Sequence, residues 1–331
     1  MNPAELLYSI SGRIPSFEMS ILPTPLHKLE KLGAELGVNL YCKRDDLTGF
    51  AMGGNKTRKL DYILRDAVNM GADSIVTFGA SQSNWCRMTS AAARSKGIEP
   101  YLFLAGNKPV VPTANLILDN LVGSSIYFTG SMDETGIITA CNNKMDELLA
   151  SGHKPYYVAV GGSNPVGCTG YIRALAEIID WESEAGVRFS KVFIASGSAG
   201  TQAGLVAGKI ASGWHGEITG ISVSREEDKQ EQMVTDLVTQ TMTFHGLNYE
   251  TSLVEKSVVC DDRYLGEGYR FRTEGCSEAI SLFASLEGIF LDEVYTGKAA
   301  AGLIDYARRG LIAPGENVLF IHTGGTIQLF E

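Results

Sequence analysis

Four short apolar runs in this chain are each followed at once by a loop of Gly, Ser, Thr and Asn. Residues 74–78 (SIVTF) lead into Gly79-Ala80-Ser81-Gln82-Ser83-Asn84. Residues 156–160 (YYVAV) lead into Gly161-Gly162-Ser163-Asn164-Pro165-Val166-Gly167. Residues 191–195 (KVFIA) lead into Ser196-Gly197-Ser198-Ala199-Gly200-Thr201, and 317–322 (NVLFIH) into Thr323-Gly324-Gly325-Thr326. Further strand-like runs lie at 38–43, 101–105 and 219–224. Helical periods separate them. Leu60, Ile63, Leu64, Ala67 and Val68 share one helical face, and 298–309 reads as a helix stopped by Gly310. Strands alternating with helices predict an α/β fold with parallel sheets covered on both faces. Ligands of such sheets bind beyond the carboxyl ends of the strands, where these four uncharged polar loops fall.

The loops carry candidate chemistry. Ser196–Thr201 (SGSAGT) is a Gly-rich strand-to-helix turn, whose N–H groups and helix N-terminus suit a phosphate. No Lys follows as in a Walker A loop, and G-x-G-x-x-G is absent, so a small phosphorylated ligand or cofactor fits better than a nucleotide. Taken alone, the turn could equally serve helix–strand packing. Lys56, in Gly53-Gly54-Asn55-Lys56-Thr57-Arg58-Lys59, stands at the positive end of the next helix. That position lowers an amine's pKa and favours Schiff-base chemistry, although Lys56, Arg58 and Lys59 could also form a solvated basic face. Ser83 and Asn84 could bind a carboxylate or ring hydroxyl, or simply cap a helix. Tyr269 and Tyr295 could stack on an aromatic cofactor, or be ordinary buried tyrosines.

Composition narrows the partners. The 28 basic against 38 acidic residues give a net charge of −10, which leaves no basic excess for nucleic acid. The six Cys form no C-x-x-C pair and the five His have no ligand spacing, so no metal site is expected. Sparse Cys, the lack of a signal-like N-terminus and the lack of a long apolar run predict a cytoplasmic protein with no membrane segment.

In order along the chain, GGNKTRKL, GASQSN, GGSNPVGCTGY, SGSAGTQAGL, ASLEGIFLDEVYTGKAAAGL and FIHTGG together resemble the pyridoxal-phosphate family of D-cysteine desulfhydrase and 1-aminocyclopropane-1-carboxylate deaminase. The likeness runs from about Leu22 to the C-terminus. It implies the fold of the tryptophan synthase β subunit (fold type II), in which two open parallel-sheet α/β domains hold pyridoxal 5′-phosphate in the cleft between them, usually as a homodimer. The large domain would be 1–56 with 167–331, and the small one 57–166.

The resemblance also implies roles. Lys56 would form the Schiff base, and Gly197, Ser198, Ala199, Gly200 and Thr201 would form the phosphate cup. Asn84 would meet the ring oxygen, Tyr295 would stack by the ring, and Tyr269 would lie near the substrate amine. Ser83 would hold the substrate carboxylate or move a proton, with Gln82 and Ser163 beside the substrate. Thr296 and Thr323 would flank the ring nitrogen. The deaminase branch has an acid and a leucine at these two positions, so the pair matches the desulfhydrase branch. A hydroxyl leaves the ring nitrogen largely neutral, which suffices for expelling a good β leaving group. Two departures concern the substrate. Trp85 replaces a His or Gln, and Arg270 and Arg272 follow Tyr269, where they could bind a sulfonate, face solvent or pair with Glu267 and Glu274. The expected function is α,β-elimination from a small amino acid, D-cysteine first, then L-cysteate, then the cyclopropane acid. A non-catalytic pyridoxal-phosphate binding protein is the reading from another class.

Overall fold

A computed structural model describes residues 1–331 and contains ten strands. They are β1 (Leu26–Lys28), β2 (Asn39–Lys43), β3 (Ser74–Gly79), β4 (Glu99–Leu104), β5 (Ser125–Phe128), β6 (Pro155–Tyr157), β7 (Lys191–Ser196), β8 (Glu217–Ser222), β9 (Val259–Asp261) and β10 (Asn317–Ile321). They form two sheets. One has the order β1-β2-β10-β7-β8-β9, the other β5-β4-β3-β6. Every pairing is parallel except β1 with β2. Helices cover both sheets, as all-parallel pairing requires. The expected α/β architecture with two open parallel sheets is therefore present.

The β3–β6 sheet has its own apolar core of Leu60, Leu64, Ile75, Trp85, Leu102 and Val158, among others. The larger sheet is packed on both sides, by Tyr171, Ile194 and Val206 on one and by Phe193, Leu303 and Phe320 on the other. No helix is long and apolar enough to cross a membrane. All six cysteines are free and buried.

The predicted solvated face of Lys56, Arg58 and Lys59 is not one. Arg58 and Lys59 are wholly buried, and Lys56 is half-buried. Arg58 donates to Asp45 at 2.9 Å and to Glu177 at 2.8 Å, Glu177 also accepts from Lys43 at 2.8 Å, and the Tyr171 hydroxyl donates to Asp45 at 2.6 Å. Each charge of this cluster thus has a partner, which is what its desolvation demands, whereas Lys59 donates only to the Gly161 carbonyl, at 3.0 Å. The cluster ties the helix Asn55–Asn69, which bears Lys56, to β2 and to the helix Pro165–Ala185.

Candidate active site

The carboxyl ends of β3, β7 and β10 open onto one cleft, lined from both sheets. Of the residues singled out in the sequence, Lys56, Ser83, Asn84, Gly197, Ser198, Ala199, Thr201, Tyr269, Tyr295 and Thr323 line it.

At one end, Ala199 takes the left-handed conformation (φ 68°) immediately before the helix Gly200–Ser212. A non-glycine residue held there is strained, and such strain persists where the surroundings demand it. The backbone N–H groups of Gly197, Ser198, Ala199, Thr201 and Gln202 donate to no protein acceptor. Unpaired N–H groups converging at a helix N-terminus form an anion cradle. Gly161 makes room for it, since a Cβ there would lie 2.0 Å from Ser198 Oγ. Gly200 and Ser163 stand behind the cradle. The Gly200 N–H is bonded at 2.9 Å to Ser198 O, and Ser163 Oγ donates to Ser198 Oγ at 2.9 Å.

Asn55, which sequence reasoning overlooked, joins this end to the lysine. Its Nδ2 donates to Thr201 Oγ1 at 2.9 Å, and its Oδ1 accepts from Lys56 Nζ at 2.9 Å. Burial and the adjacent Lys59 ammonium hold the Lys56 amine well below the ordinary lysine range, so it is the neutral, nucleophilic form that is favoured. Gly54 (φ 124°) lets the backbone lie against Thr323, whose carbonyl accepts the Asn55 N–H at 2.9 Å.

The wall formed by the β3–β6 sheet works through side chains. Ser83 caps the helix Asn84–Ser95, accepting the Cys86 N–H at 3.2 Å, and also faces the cleft. Asn84 is braced by Asn115 Nδ2 at 3.0 Å and by Gln328 at 3.3 Å. Trp85 donates to Thr77 Oγ1 at 2.8 Å and forms part of the cleft wall. Gly162 makes way for its ring, since a Cβ there would meet it at 2.8 Å.

Opposite, the Tyr269 and Tyr295 hydroxyls are hydrogen-bonded to each other. Burial pushes Tyr269 up to about 12 and raises Tyr295 well above the ordinary tyrosine range, so both remain protonated at neutral pH. The turn that presents Tyr295 is held by Asp292, which is fully buried. It accepts from the N–H groups of Val294 at 2.8 Å, Tyr295 at 2.7 Å and Thr296 at 2.9 Å, and from Thr296 Oγ1 at 2.6 Å.

That last bond corrects one expectation. Thr296 does not face the cleft, because its hydroxyl is committed to Asp292. Gln82 is likewise outside the wall. It braces the loop by donating to Thr113 Oγ1 at 3.0 Å and accepting from the Asn115 N–H at 2.9 Å. Arg270 pairs with Glu331, and Arg272 with Glu293 at 2.6 Å, rather than with Glu267 and Glu274, and neither lines the cleft. Arg87 and Arg225, not singled out beforehand, do line it.

A cradle for a phosphate, a lysine amine whose pKa is lowered and a tyrosine pair around one cleft fit a pyridoxal-phosphate site. The family model of pyridoxal-phosphate dependent enzymes matches residues 17–324. A 1-aminocyclopropane-1-carboxylate deaminase of Burkholderia cenocepacia is 36% identical over 326 residues, covering 96% of each chain, and that of Burkholderia vietnamiensis is 35% identical. A solved structure described as a homologue of that deaminase superposes with a TM-score of 0.90 at 35% identity, over 100% of this chain and 97% of the other. Threonine deaminase isoform 2 of Solanum lycopersicum shares the fold, with a TM-score of 0.67 at 17% identity over 97% of this chain and 84% of its own. The chain belongs to the pyridoxal-phosphate dependent enzymes of fold type II, in the group of 1-aminocyclopropane-1-carboxylate deaminase and D-cysteine desulfhydrase.

Proposed function

We propose that this enzyme carries out α,β-elimination on a small amino acid, with D-cysteine as the preferred substrate, giving pyruvate, ammonia and sulfide after one water is taken up. The reading is supported chiefly by the end of the cleft at Thr323. A hydroxyl residue lines it, while the nearby carboxylate, Asp292, is used up by three N–H groups and the Thr296 hydroxyl. No free acid is thus presented there to keep a ring nitrogen protonated. Opening a cyclopropane needs a strong electron sink, whereas expelling thiolate does not.

When bound, pyridoxal phosphate supplies the electron sink that stabilises negative charge on the substrate's α-carbon. The chain does the rest. The N–H groups of 197–202 and the Thr201 hydroxyl would hold the phosphate, and Lys56 would hold the cofactor covalently. Lys56 Nζ or Ser83 Oγ would take the α-proton, and Asn84 would hold the ring oxygen. Of the bonded Tyr269 and Tyr295 hydroxyls, one proton lies in their mutual bond, and the other would donate toward the substrate's polar groups. The chain divides into a large domain of 1–56 with 167–331 and a small one of 57–166, and works as a homodimer.

Deamination of the cyclopropane acid is the second reading, favoured by the activity named for the Burkholderia relatives. L-Cysteate ranks below it, because Arg270 and Arg272 are paired away from the cleft. The test is 2-oxo acid release from D-cysteine, L-cysteine, L-cysteate, D-serine and the cyclopropane acid. The proposal requires kcat/KM to be highest for D-cysteine. A preference for the cyclopropane acid overturns it in favour of the second reading, and no turnover of any of the five points to a protein that only binds the cofactor.

A further inference from the structure

Arg225 stands just beyond β8, on the rim of the cleft. Its Nη1 donates to the carbonyl of Gly197 at 3.0 Å and to Ser224 Oγ at 3.0 Å. A trans peptide points its C=O and N–H in opposite directions. Holding the Gly197 carbonyl toward Arg225 therefore turns the Ser198 N–H, one of the unpaired donors of the cradle, the other way. The other terminal nitrogen, Nη2, lies 3.8 Å from Glu134 Oε2. Glu134 opens the helix Glu134–Ala150, which packs on the β3–β6 sheet, and it too lines the cleft. The pair thus reaches across the cleft from one sheet to the other.

We propose that Arg225 is a positioning residue for the phosphate cradle and that Glu134 is its counter-charge across the cleft, the two together forming a latch that slows cofactor release. The inference rests on reading 197–201 as the phosphate cup. Arg225 is partly and Glu134 largely exposed, so the pair is weak, and its job is to hold the guanidinium in place.

The experiment measures pyridoxal 5′-phosphate release from the holoenzyme into a scavenging apoenzyme, followed by loss of the cofactor's visible absorbance. Glu134→Gln, at an exposed helix start, should speed release about threefold to fivefold. Arg225→Gln should speed it about tenfold, by freeing the Gly197 carbonyl as well. The double variant should release no faster than Arg225→Gln alone, since Glu134 acts only through Arg225. Should Arg225→Gln fold poorly, Arg225→Lys keeps the charge without the two-sided fork and should fall between wild type and Glu134→Gln-like rates. Raising salt should speed release from the wild type but not from Glu134→Gln. Release from Glu134→Gln at the wild-type rate overturns the latch, as does full additivity of the two substitutions. Thr201→Val separates the two readings: if it leaves cofactor binding unchanged, the phosphate cup itself is misplaced, whereas weaker binding there with normal release from both rim variants rejects the latch alone.

Discussion

The two walls of the cleft are made differently. The wall of the six-stranded sheet offers backbone: the N–H groups of the 197–202 turn, and a Tyr295 loop fixed by a fully bonded Asp292. The wall of the four-stranded sheet offers side chains, Ser83 and Asn84, on a helix start. The interiors differ in the same sense. Glu177, under the larger sheet, has Arg58 and Lys43 as partners. Asp119, beside the smaller one, has one hydroxyl, and its Oδ2 has no partner. On the proposed function, the first wall would grip the fixed phosphate, and Ser83 on the second would handle a group that comes and goes.

Lys56 joins the two walls, so its loss should have the largest effect. Lys56→Ala should abolish the visible absorbance of the bound cofactor and reduce turnover at least about 10³-fold, since no covalent link to the enzyme can form. Normal rates, with Lys59 or Lys298 found to carry the cofactor instead, would break the assignment.

The gripping wall should answer in cofactor affinity and in stability. Thr201→Val removes a hydroxyl from the cradle and should weaken cofactor binding about tenfold to a hundredfold, the worth of one charge-assisted bond. Glu177→Gln leaves Arg58 and Lys43 short of negative charge in a dry interior. It should cost about 3–5 kcal/mol, read by denaturant unfolding. Burial alone would raise the Glu177 pKa, but Arg58 and Lys43 override it and hold the carboxyl down at about 2. Its contribution is therefore present above the ordinary glutamate range and lost as pH falls toward 2. The handling wall should answer in kcat. Ser83→Ala should lower it with cofactor affinity unchanged, at a cost in stability of about 1 kcal/mol for the lost cap. A reversed pattern, with affinity lost at Ser83 and rate lost at Thr201, would break the comparison.

Much of this was legible in the sequence, for a physical reason. The central strands are long apolar runs because they are buried on both faces, and all were read within a few residues. The strands that escaped, β1, β5 and β9, are sheet edges. An edge pairs on one side only, so three or four residues suffice and leave little pattern. The Gly/Ser/Thr loops marked the cleft because close backbone approach leaves a compositional trace. Partnerships across the chain leave none. Asn55 meets Thr201 across 146 positions, and Arg225 meets Glu134 across the cleft. The direction of a hydroxyl is equally silent in sequence, and Thr296 was misplaced for that reason: its neighbour Asp292 claims it.

The smallest effect should come from Asp119. Burial pushes its carboxyl up to about 7, opposed only in part by the Ser90 hydroxyl and by Arg87. The native state therefore keeps a proton that the unfolded chain has already released above the ordinary aspartate range of about 4. Stability must then fall as pH rises from about 4 to about 7, the opposite sign to Glu177. Ser90 Oγ reaches Asp119 Oδ1 at 3.1 Å, a bond that an amide oxygen can accept equally well. Asp119→Asn should therefore match the wild type in Tm near pH 5 and exceed it by a few degrees at pH 8, with the difference growing between those values. Equal pH slopes for the two proteins would mean that the carboxylate finds a partner on this side after all, and that the two walls bury charge alike.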